Sequence, residues 1–350
     1  MTMRDGIVEQ AGRFKKAIAS KDTSSYKVVK KNQLVVGFPI DEGVIYVQNH
    51  DAPGIMSPAY NVWNIDLGRV DPSYLEFALH SPRSMAYYAD KMRGTTARRR
   101  TLTADGLREM EILLPSADGQ IRVVNTLDEV RSLIEGANGQ IAMLDTLVKS
   151  RFVEMFGDPA TNSHDLPIER LSDLGVLERG KSKHRPRNAP ELRGGPDGPY
   201  PLVQTGDIAN AGLYLSTYSD TYTELGLRQS KMWPKGTLCI TIAANIAQTT
   251  ILAIDACFPD SVVGFTSGRT IQNVFLHYWF SFFQSILEEQ APQAAQKNIN
   301  LRILSDLGVI APSIEKQQEF ASFVAEVDKS RFNLLKAYGS IIALFRVLFP

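Results

Sequence analysis

Basic side chains cluster in one proline-rich loop in the second half of the sequence. The cluster contains Lys181, Lys183, His184, Arg185 and Arg187. Lysine and arginine at this density suit contacts with the phosphate groups of a nucleic acid, with a few side chains entering a groove. A solvated loop without a ligand is an equally good interpretation of the composition alone.

A second basic cluster consists of Arg98, Arg99 and Arg100. An internal repeat, described below, places this cluster near Gln296, Lys297 and Asn298. Both segments are rich in hydrogen-bond donors, and both lie between a predicted helix and a predicted strand. Their recurrence favours a nucleic-acid ligand over an incidental run of charge.

Patterns typical of catalysis are not found in the sequence. It has no phosphate-binding GxxxxGK[ST] loop, no GxGxxG after a strand, no GxSxG and no HExxH. A methyltransferase would need a cofactor-binding glycine loop and a motif such as [ND]PP[YF], and neither is present. The five histidines are scattered singly, and His277 on an aromatic helix is predicted to be a packed residue. We therefore expect no catalytic or metal site in this chain.

The composition sets broad limits on the protein. A chain of 350 residues suggests about two domains, and 38 basic residues balance 38 acidic ones, so net charge does not identify a ligand. Cys239 and Cys257 lie far apart without zinc-ligand spacing, which predicts buried free thiols in a reducing cytoplasm. No apolar run approaches the roughly 18–20 residues of a membrane span, so a cytoplasmic protein is expected.

A long helix in the middle of the chain is the element that would position these segments. From Leu127 to Pro159, apolar or small residues recur at alternating steps of three and four, which is the spacing of one helix packed on another. Only Arg151 interrupts this apolar seam, and Gly157 with the following Asp-Pro ends the helix. The pattern predicts a coiled-coil spacer between two globular units.

Shorter elements precede this helix. Tyr26–Val29 and Leu34–Phe38 are predicted strands around a polar turn. Asp71 and Pro72 begin a predicted helix that continues through Tyr88. Leu107–Pro115 is a predicted strand.

The second half of the chain repeats the first. The matching segments are Tyr26–Val36 with Ser230–Ile240, Ile55–Val62 with Pro259–Thr266, Tyr74–Leu79 with Phe275–Phe280, Leu107–Pro115 with Leu304–Pro312, and Gln120–Val130 with Gln317–Val327. The order is therefore globule, long helix, globule, long helix. The second helix, Gln317–Phe349, is predicted to pair with the first within the chain in an antiparallel coiled coil.

One segment of the second globule has no counterpart in the first. Residues 166–201 would correspond to positions before Met1. We expect that the first globule lacks its opening strands, or that the start codon lies within a longer reading frame.

Several segments carry a resemblance to a known family. They are LVKSRFVEMFGDP at the end of the central helix, YPLVQTGDIANAGLY (200–214), GTLCITIAANIAQTTIL (236–252), DACFPDSVVGF (255–265) and the run QKNINLRILSDLGVIAPSIEKQ. On these segments the chain resembles the specificity (S) subunit of type I restriction-modification systems. The resemblance covers nearly the whole length.

The resemblance implies an α+β fold with two target-recognition domains separated by two long helices. The implied boundaries are residues 1–118 for the first domain, 119–159 for the central helix, 160–314 for the second domain and 315–350 for the last helix. Each domain would read one half of a bipartite site in double-stranded DNA. An S subunit with a truncated first domain would read a half-site only or act as an inactive partner.

The resemblance also implies partners, cofactors and DNA contacts. Two methyltransferase subunits would bind S-adenosylmethionine, and restriction subunits would use ATP and Mg²⁺ for translocation and cleavage, with no cofactor in this chain. Besides the basic clusters, the expected DNA contacts are Gln204, Thr205, Asp207, Asn245, Gln248, Gln296, Lys297 and Asn298. Thr205 and Asn245 are expected to read bases, and Lys183, Arg185 and Lys297 to contact phosphates. A stand-alone DNA methyltransferase or nuclease is the alternative.

Overall fold

The computed structural model describes residues 1–2, 6–9, 22–96, 100–183, 186, 189–195, 197–243, 246–283, 286 and 299–348, with side chains as far as residue 339. The chain divides into two compact units, residues 1–136 and 137–350. Within the described residues, no helix is long and apolar enough to cross a membrane.

The first unit combines short antiparallel strands with helices. Its strands are β1 (Lys27–Val29), β2 (Gln33–Val36), β3 (Ile45–Val47), β4 (Gly54–Met56) and β5 (Asn61–Asn64), and its shorter helices are α1 (Pro72–Leu79), α2 (Pro82–Lys91) and α3 (Ala104–Arg108). β1 pairs with β4, and β2 lies between β3 and β5. The core contains Leu34, Ile45, Leu79 and Tyr88.

Two sequence-based predictions for this unit are wrong. The helix predicted to continue through Tyr88 is interrupted at Ser81, because Pro82 has no N–H and disfavours a helical conformation in the preceding residue. The strand predicted over Leu107–Pro115 is not formed. Its first residues belong to α3, where the Thr103 hydroxyl accepts a hydrogen bond from the Gly106 N–H at 3.0 Å.

A long helix, α4 (Ala117–Phe156), begins in the first unit and ends in the second. It begins ten residues before Leu127, the first residue of the predicted apolar seam. It ends immediately before Gly157, as the sequence predicted. Gly157 follows it with a φ of 76° and donates its N–H to the Val153 carbonyl at 2.8 Å.

The second unit has two larger sheets and one small one. Its strands are β6 (Ile168–Arg170), β7 (Gly175–Arg179), β8 (Tyr200–Leu202), β9 (Tyr214–Leu215), β10 (Asp220–Tyr222), β11 (Met232–Trp233), β12 (Leu238–Thr241), β13 (Thr249–Leu252), β14 (Ala256–Cys257), β15 (Val262–Ser267) and β16 (Gly308–Ile310). Its helices are α5 (Leu171–Leu174), α6 (Thr205–Asn210), α7 (Glu224–Arg228), α8 (Asn273–Phe280), α9 (Leu301–Asp306) and α10 (Ile314–Leu348). The sheet orders are β10-β8-β14-β11, β7-β15-β12-β13-β9 and β16-β6.

Two hydrophobic cores contain most of the buried apolar residues described in this unit. The larger one joins the sheet to the ends of both long helices, with Phe152 and Phe156 of α4 packed on Phe275 of α8 and Phe320 of α10. The aromatic helix is therefore part of the core, as predicted. The smaller core lies between the two larger sheets and includes Cys239, while Cys257 is buried nearby. Both thiols are free and buried, which confirms the prediction for the cysteines.

Strand pairing confirms the internal repeat. In the first unit Leu34 lies between Val47 and Trp63, and in the second Leu238 lies between Ile251 and Phe265. The pairing of β1 with β4 likewise recurs as β11 with β14. The sequence alignment is displaced by two residues at β5. Strand pairing makes Trp63, rather than Asn61, equivalent to Phe265.

The two long helices run antiparallel within the second unit. The guanidinium group of Arg151 lies 3.0 Å from the Glu319 carboxylate, and Arg331 forms an ion pair with Asp145 further along. Residue numbers therefore increase along one helix as they decrease along the other, so the helices are antiparallel. Leu144 and Val148 of the predicted seam face this contact, so the antiparallel coiled coil and the α+β fold class are confirmed.

A buried glutamine attaches each long helix to the unit that precedes it. The Gln120 side chain, 2% exposed, accepts a hydrogen bond from the Asp71 N–H and donates to the carbonyls of Arg69 and Pro115. The repeat contains the same arrangement around Gln317, which is fully buried. It accepts from the Gln272 N–H at 2.9 Å and donates to the carbonyls of Thr270 at 2.9 Å and Pro312 at 2.8 Å.

We predict that Gln317→Leu lowers the free energy of unfolding of the second unit by about 3 kcal/mol, because it leaves one buried donor and two buried acceptors without partners. Urea titration followed by tryptophan fluorescence would measure the change. Gln318→Leu is the matched control, since the adjacent Gln318 side chain is exposed. Equal stability of the two variants would contradict the assigned role.

His277 on α8 is packed against the sheet. Its Nδ1 lies 3.0 Å from the Thr249 hydroxyl, which confirms the prediction of a packed histidine. Burial, with smaller contributions from the charges of Arg331 and Lys149, lowers the pKa of His277 to about 4. The folded protein therefore holds this imidazole neutral, whereas the unfolded chain protonates it near pH 6.5.

We predict that the free energy of unfolding falls by about 1–2 kcal/mol between pH 7 and pH 5 through His277 alone. A lowered pKa stabilises the fold above the unfolded-state value and loses that contribution as the pH falls towards the folded-state value. The difference between the wild-type chain and His277→Gln, measured by urea unfolding at both pH values, isolates this contribution. If both proteins show the same pH dependence, His277 does not titrate as described.

Candidate nucleic-acid interface

Two of the predicted DNA-contacting segments lie at the same end of the five-stranded sheet. Gly180, just after β7, donates its N–H to the Val262 carbonyl, and Val262 pairs on its other side with Thr241 of β12. Because β7 and β12 both run antiparallel to the β15 strand between them, they end together. Adjacent strands are about 4.8 Å apart, so the loop after Gly180 and the turn after Thr241 emerge roughly 10 Å from each other.

A shared carboxylate holds the start of the basic loop. Glu178 on β7 lies 3.3 Å from the Lys181 ammonium group and 2.5 Å from that of Lys231. The hydrogen bond from Lys231, with a further one from Lys181, holds the pKa of Glu178 below its usual value despite some burial. The Lys231 ammonium group also lies 3.9 Å from the centroid of the Trp233 ring. These contacts place two cations beside each other at the surface.

The basic loop is fixed at both ends. At its start, the Ser230 hydroxyl donates to the Lys181 carbonyl at 2.9 Å. At its end, Arg193 is paired with Asp220 at 2.5 Å and Gly194 donates its N–H to the Thr221 carbonyl. Lys183 is exposed between these anchors. His184, Arg185 and Arg187 lie outside the described residues.

The turn between β12 and β13 is closed by backbone hydrogen bonds. Thr241 donates its N–H to the Gln248 carbonyl at 2.9 Å, and its hydroxyl accepts from the Gln248 N–H at 3.0 Å. With its backbone held, Gln248 presents its side chain to solvent. Asn245 lies outside the described residues.

The segment from Gln204 to Asp207 lies between the two larger sheets and starts α6. The Asp207 carboxylate accepts from the Gln204 N–H at 2.8 Å and from the Ser219 hydroxyl at 3.1 Å. Asp207 thus caps its own helix, while Thr205 occupies the first helical position and keeps some exposure. Ile208 anchors α6 in the smaller core.

In the first unit, Arg100 binds within its own chain. Its guanidinium group forms ion pairs with Asp41 and Glu42, and its carbonyl accepts from the Ile40 N–H at 2.9 Å. These partners lie in the connection between β2 and β3, the counterpart of the turn that contains Gln248. The Arg100 side chain is only 23% exposed, so much of its hydrogen-bonding capacity is used inside the unit. Its predicted companions Arg98, Arg99, Gln296, Lys297 and Asn298 lie outside the described residues.

Sequence reasoning missed Lys231 and Glu178. The signal was present, because the repeat aligns Lys231 with Lys27, and so puts a lysine at the start of the corresponding strands in both units. Lys27 instead donates to the Tyr60 carbonyl at 2.5 Å. Because the two lysines occupy equivalent positions but contact different partners, the repeat could not predict that Lys231 lies beside Lys181.

Comparison with known proteins identifies the second half of the chain. A family model described as the type I restriction modification DNA specificity domain matches residues 168–339. The match covers 172 of the 350 residues, all of them in the second unit. The matched range includes the sheet end with Lys181 and most of α10.

Two solved structures from type I restriction-modification systems share the fold. A structure described as the basis of complex assembly and conformational transition of the type I R-M system has a TM-score of 0.58 and 18% identity, covering 92% of this chain and 80% of that one. The type I S subunit from M. genitalium has a TM-score of 0.51 and 16% identity, covering 99% and 92%. The HsdS subunit from Thermoanaerobacter tengcongensis has a TM-score of 0.43 and 16% identity, covering 91% and 79%.

We predict that replacing Lys181 and Lys183 together by alanine weakens binding to a random-sequence DNA duplex. If each ammonium group neutralises one phosphate, the slope of log affinity against log salt concentration becomes shallower by about two. Fluorescence anisotropy across a salt series would measure this slope.

Lys235→Ala is the matched control for this prediction. Lys235 is equally charged and exposed, but it lies in the turn before β12, at the opposite end of the strand. A comparable change of slope in both variants would show that overall charge, rather than this sheet end, governs binding.

Proposed function

We propose that this chain is the specificity subunit of a type I restriction-modification complex and reads a bipartite site in double-stranded DNA. The observation that carries the proposal is the repeated arrangement of an α+β unit attached to the start of a long helix through a buried glutamine. The match of residues 168–339 to a DNA specificity domain supports DNA as the ligand. Two similar units, each attached to a long helix, would provide two reading surfaces.

The basic sheet end of the second unit supports phosphate contacts in this proposal. Lys181, Lys183 and Lys231 supply positive charge there, and the exposed Gln248 side chain offers both a donor and an acceptor to a base edge. We further propose that His184, Arg185, Arg187, Asn245 and Lys297 contribute contacts from the segments adjoining this surface. Arg100 would act mainly by supporting the β2–β3 connection of the first unit.

The catalytic steps would belong to partner subunits. We propose that two methyltransferase subunits carry S-adenosylmethionine and that restriction subunits carry ATP and Mg²⁺, all in the cytoplasm, while this chain binds no cofactor and catalyses no reaction. Turnover by the purified chain with S-adenosylmethionine or Mg²⁺ would overturn this division of roles.

The paired helices offer a surface for the methyltransferase subunits. Beside the contact between α4 and α10, Met143 is 72% exposed, Phe332 is 65% exposed and Leu335 is 48% exposed. Exposed apolar side chains at this density are typical of a protein–protein interface. Two charged residues expected on the docking flanks, Glu319 and Asp328, are already used in ion pairs with Arg151 and Arg331. The apolar residues are therefore the stronger candidates.

The helix lengths would set the distance between the two half-sites. α4 has 40 residues and α10 has 35, which correspond to about 60 Å and about 52 Å at 1.5 Å per residue. These lengths are comparable to one to two turns of duplex DNA, at about 34 Å each.

We predict that deleting one heptad from each helix in register, residues 139–145 with 329–335, shortens the DNA spacer and leaves both half-sites unchanged. Seven residues span about 10 Å, or about three base pairs. The deletion removes both Asp145 and Arg331, so neither is left as an unpaired ion. Methylation mapping by single-molecule sequencing, in cells that contain the partner subunits, would report the spacing. A methylated site with the parental spacing would contradict the proposal.

A further inference from the structure

A strand–helix–strand segment, β6-α5-β7, completes two sheets of the second unit. In residues 166–179, β6 pairs with β16 and β7 pairs with β15 over five residues. Backbone bonds from the Ala311 N–H to the Pro167 carbonyl at 2.7 Å and from the Leu171 N–H to the Leu307 carbonyl at 2.9 Å extend the first pairing. Between the strands, Leu171 and Leu174 are 0% and 1% exposed. The segment is thus held by main-chain hydrogen bonds and two buried leucines.

The first unit has the counterparts of both receiving strands. β5 corresponds to β15 through the shared strand register described above. Residues 111–113 correspond to β16. The alignment of these two segments is fixed before them by the residues that cap the preceding helices, and after them by the two buried glutamines. Thr103 caps α3 as Asn300 caps α9, and Gln120 corresponds to Gln317.

These counterparts are open among the described residues. β5 is an edge strand of its three-stranded sheet, and residues 111–113 pair with no described strand. Leu113 is 76% exposed, whereas its counterpart Ile310 is 1% exposed. The Leu113 carbonyl accepts a hydrogen bond from the Tyr74 hydroxyl at 2.6 Å, which holds the segment in place. The neighbouring Leu107 and Met110 pack on the core, so the segment is anchored rather than detached.

We infer that the first unit binds, at these open edges, a strand–helix–strand segment with the chemistry of residues 166–179. Main-chain hydrogen bonds to the open edges would supply affinity, and two leucines in the short helix would supply the apolar anchor. The second unit demonstrates the fit, since it holds such a segment on β15 and β16, the counterparts of β5 and residues 111–113. The inference concerns protein binding and holds whether or not the first unit reads DNA.

The probe is a fluorescent synthetic peptide with the sequence of residues 166–180, LPIERLSDLGVLERG, added to the full-length protein. Saturable binding with one peptide per chain is expected by anisotropy. Hydrogen exchange should show new protection at residues 61–64 and 111–114. A peptide with Leu171 and Leu174 replaced by aspartate should not bind.

The chain variant Leu113→Asp is expected to weaken peptide binding by about tenfold or more, because it would bury a carboxylate at the receiving edge. Leu67→Asp is the matched control, since Leu67 is 57% exposed in a turn of the same unit. Circular dichroism would establish that both variants fold. Absence of saturable binding, or equal binding by Leu113→Asp and wild type, would overturn the inference, and the latter result would place the peptide elsewhere.

Discussion

The arrangement of this protein depends on two buried glutamine side chains. Each satisfies three backbone groups that would otherwise be buried without a hydrogen bond, and each lies in the first turns of a long helix. An apolar side chain could fill the same space but could not meet the donor and the two acceptors. The direction in which each helix leaves its α+β unit is therefore determined by hydrogen bonding and not by apolar packing alone.

Much of this architecture could be predicted from the sequence, because its signals are periodic. The seam that includes Leu144 and Val148 repeats often enough to define a helix face, and the matched segments reveal the duplication before any contact is known. The wrong predictions concern segments where local and tertiary effects compete. Ile112–Leu114 is apolar enough for a strand, but in the described first unit no neighbouring strand supplies hydrogen bonds to it. Charge also gave incomplete guidance, since Arg100 looked available to DNA but is paired with Asp41 and Glu42.

The basic sheet end shows how a fold can prepare a surface for a polyanion. Glu178 brings Lys181 and Lys231 together, which offsets part of their mutual repulsion before any phosphate arrives. The ammonium groups remain at the surface, so a phosphate can replace solvent around them. The sequence could identify the basic loop, but the pairing with Lys231 required the fold, because 50 residues separate the two lysines along the chain.

The partners of the two glutamines are all main-chain groups. The donor to the side-chain oxygen is the N–H of Asp71 in one unit and of Gln272 in the other, and the first carbonyl belongs to Arg69 or Thr270. The side chains at these positions differ in charge and size without altering the attachment. A junction in which all the partners are main-chain groups imposes almost no restriction on the side chains of the attached unit. Units with different surface side chains could therefore be exchanged on the same pair of helices without rebuilding the scaffold.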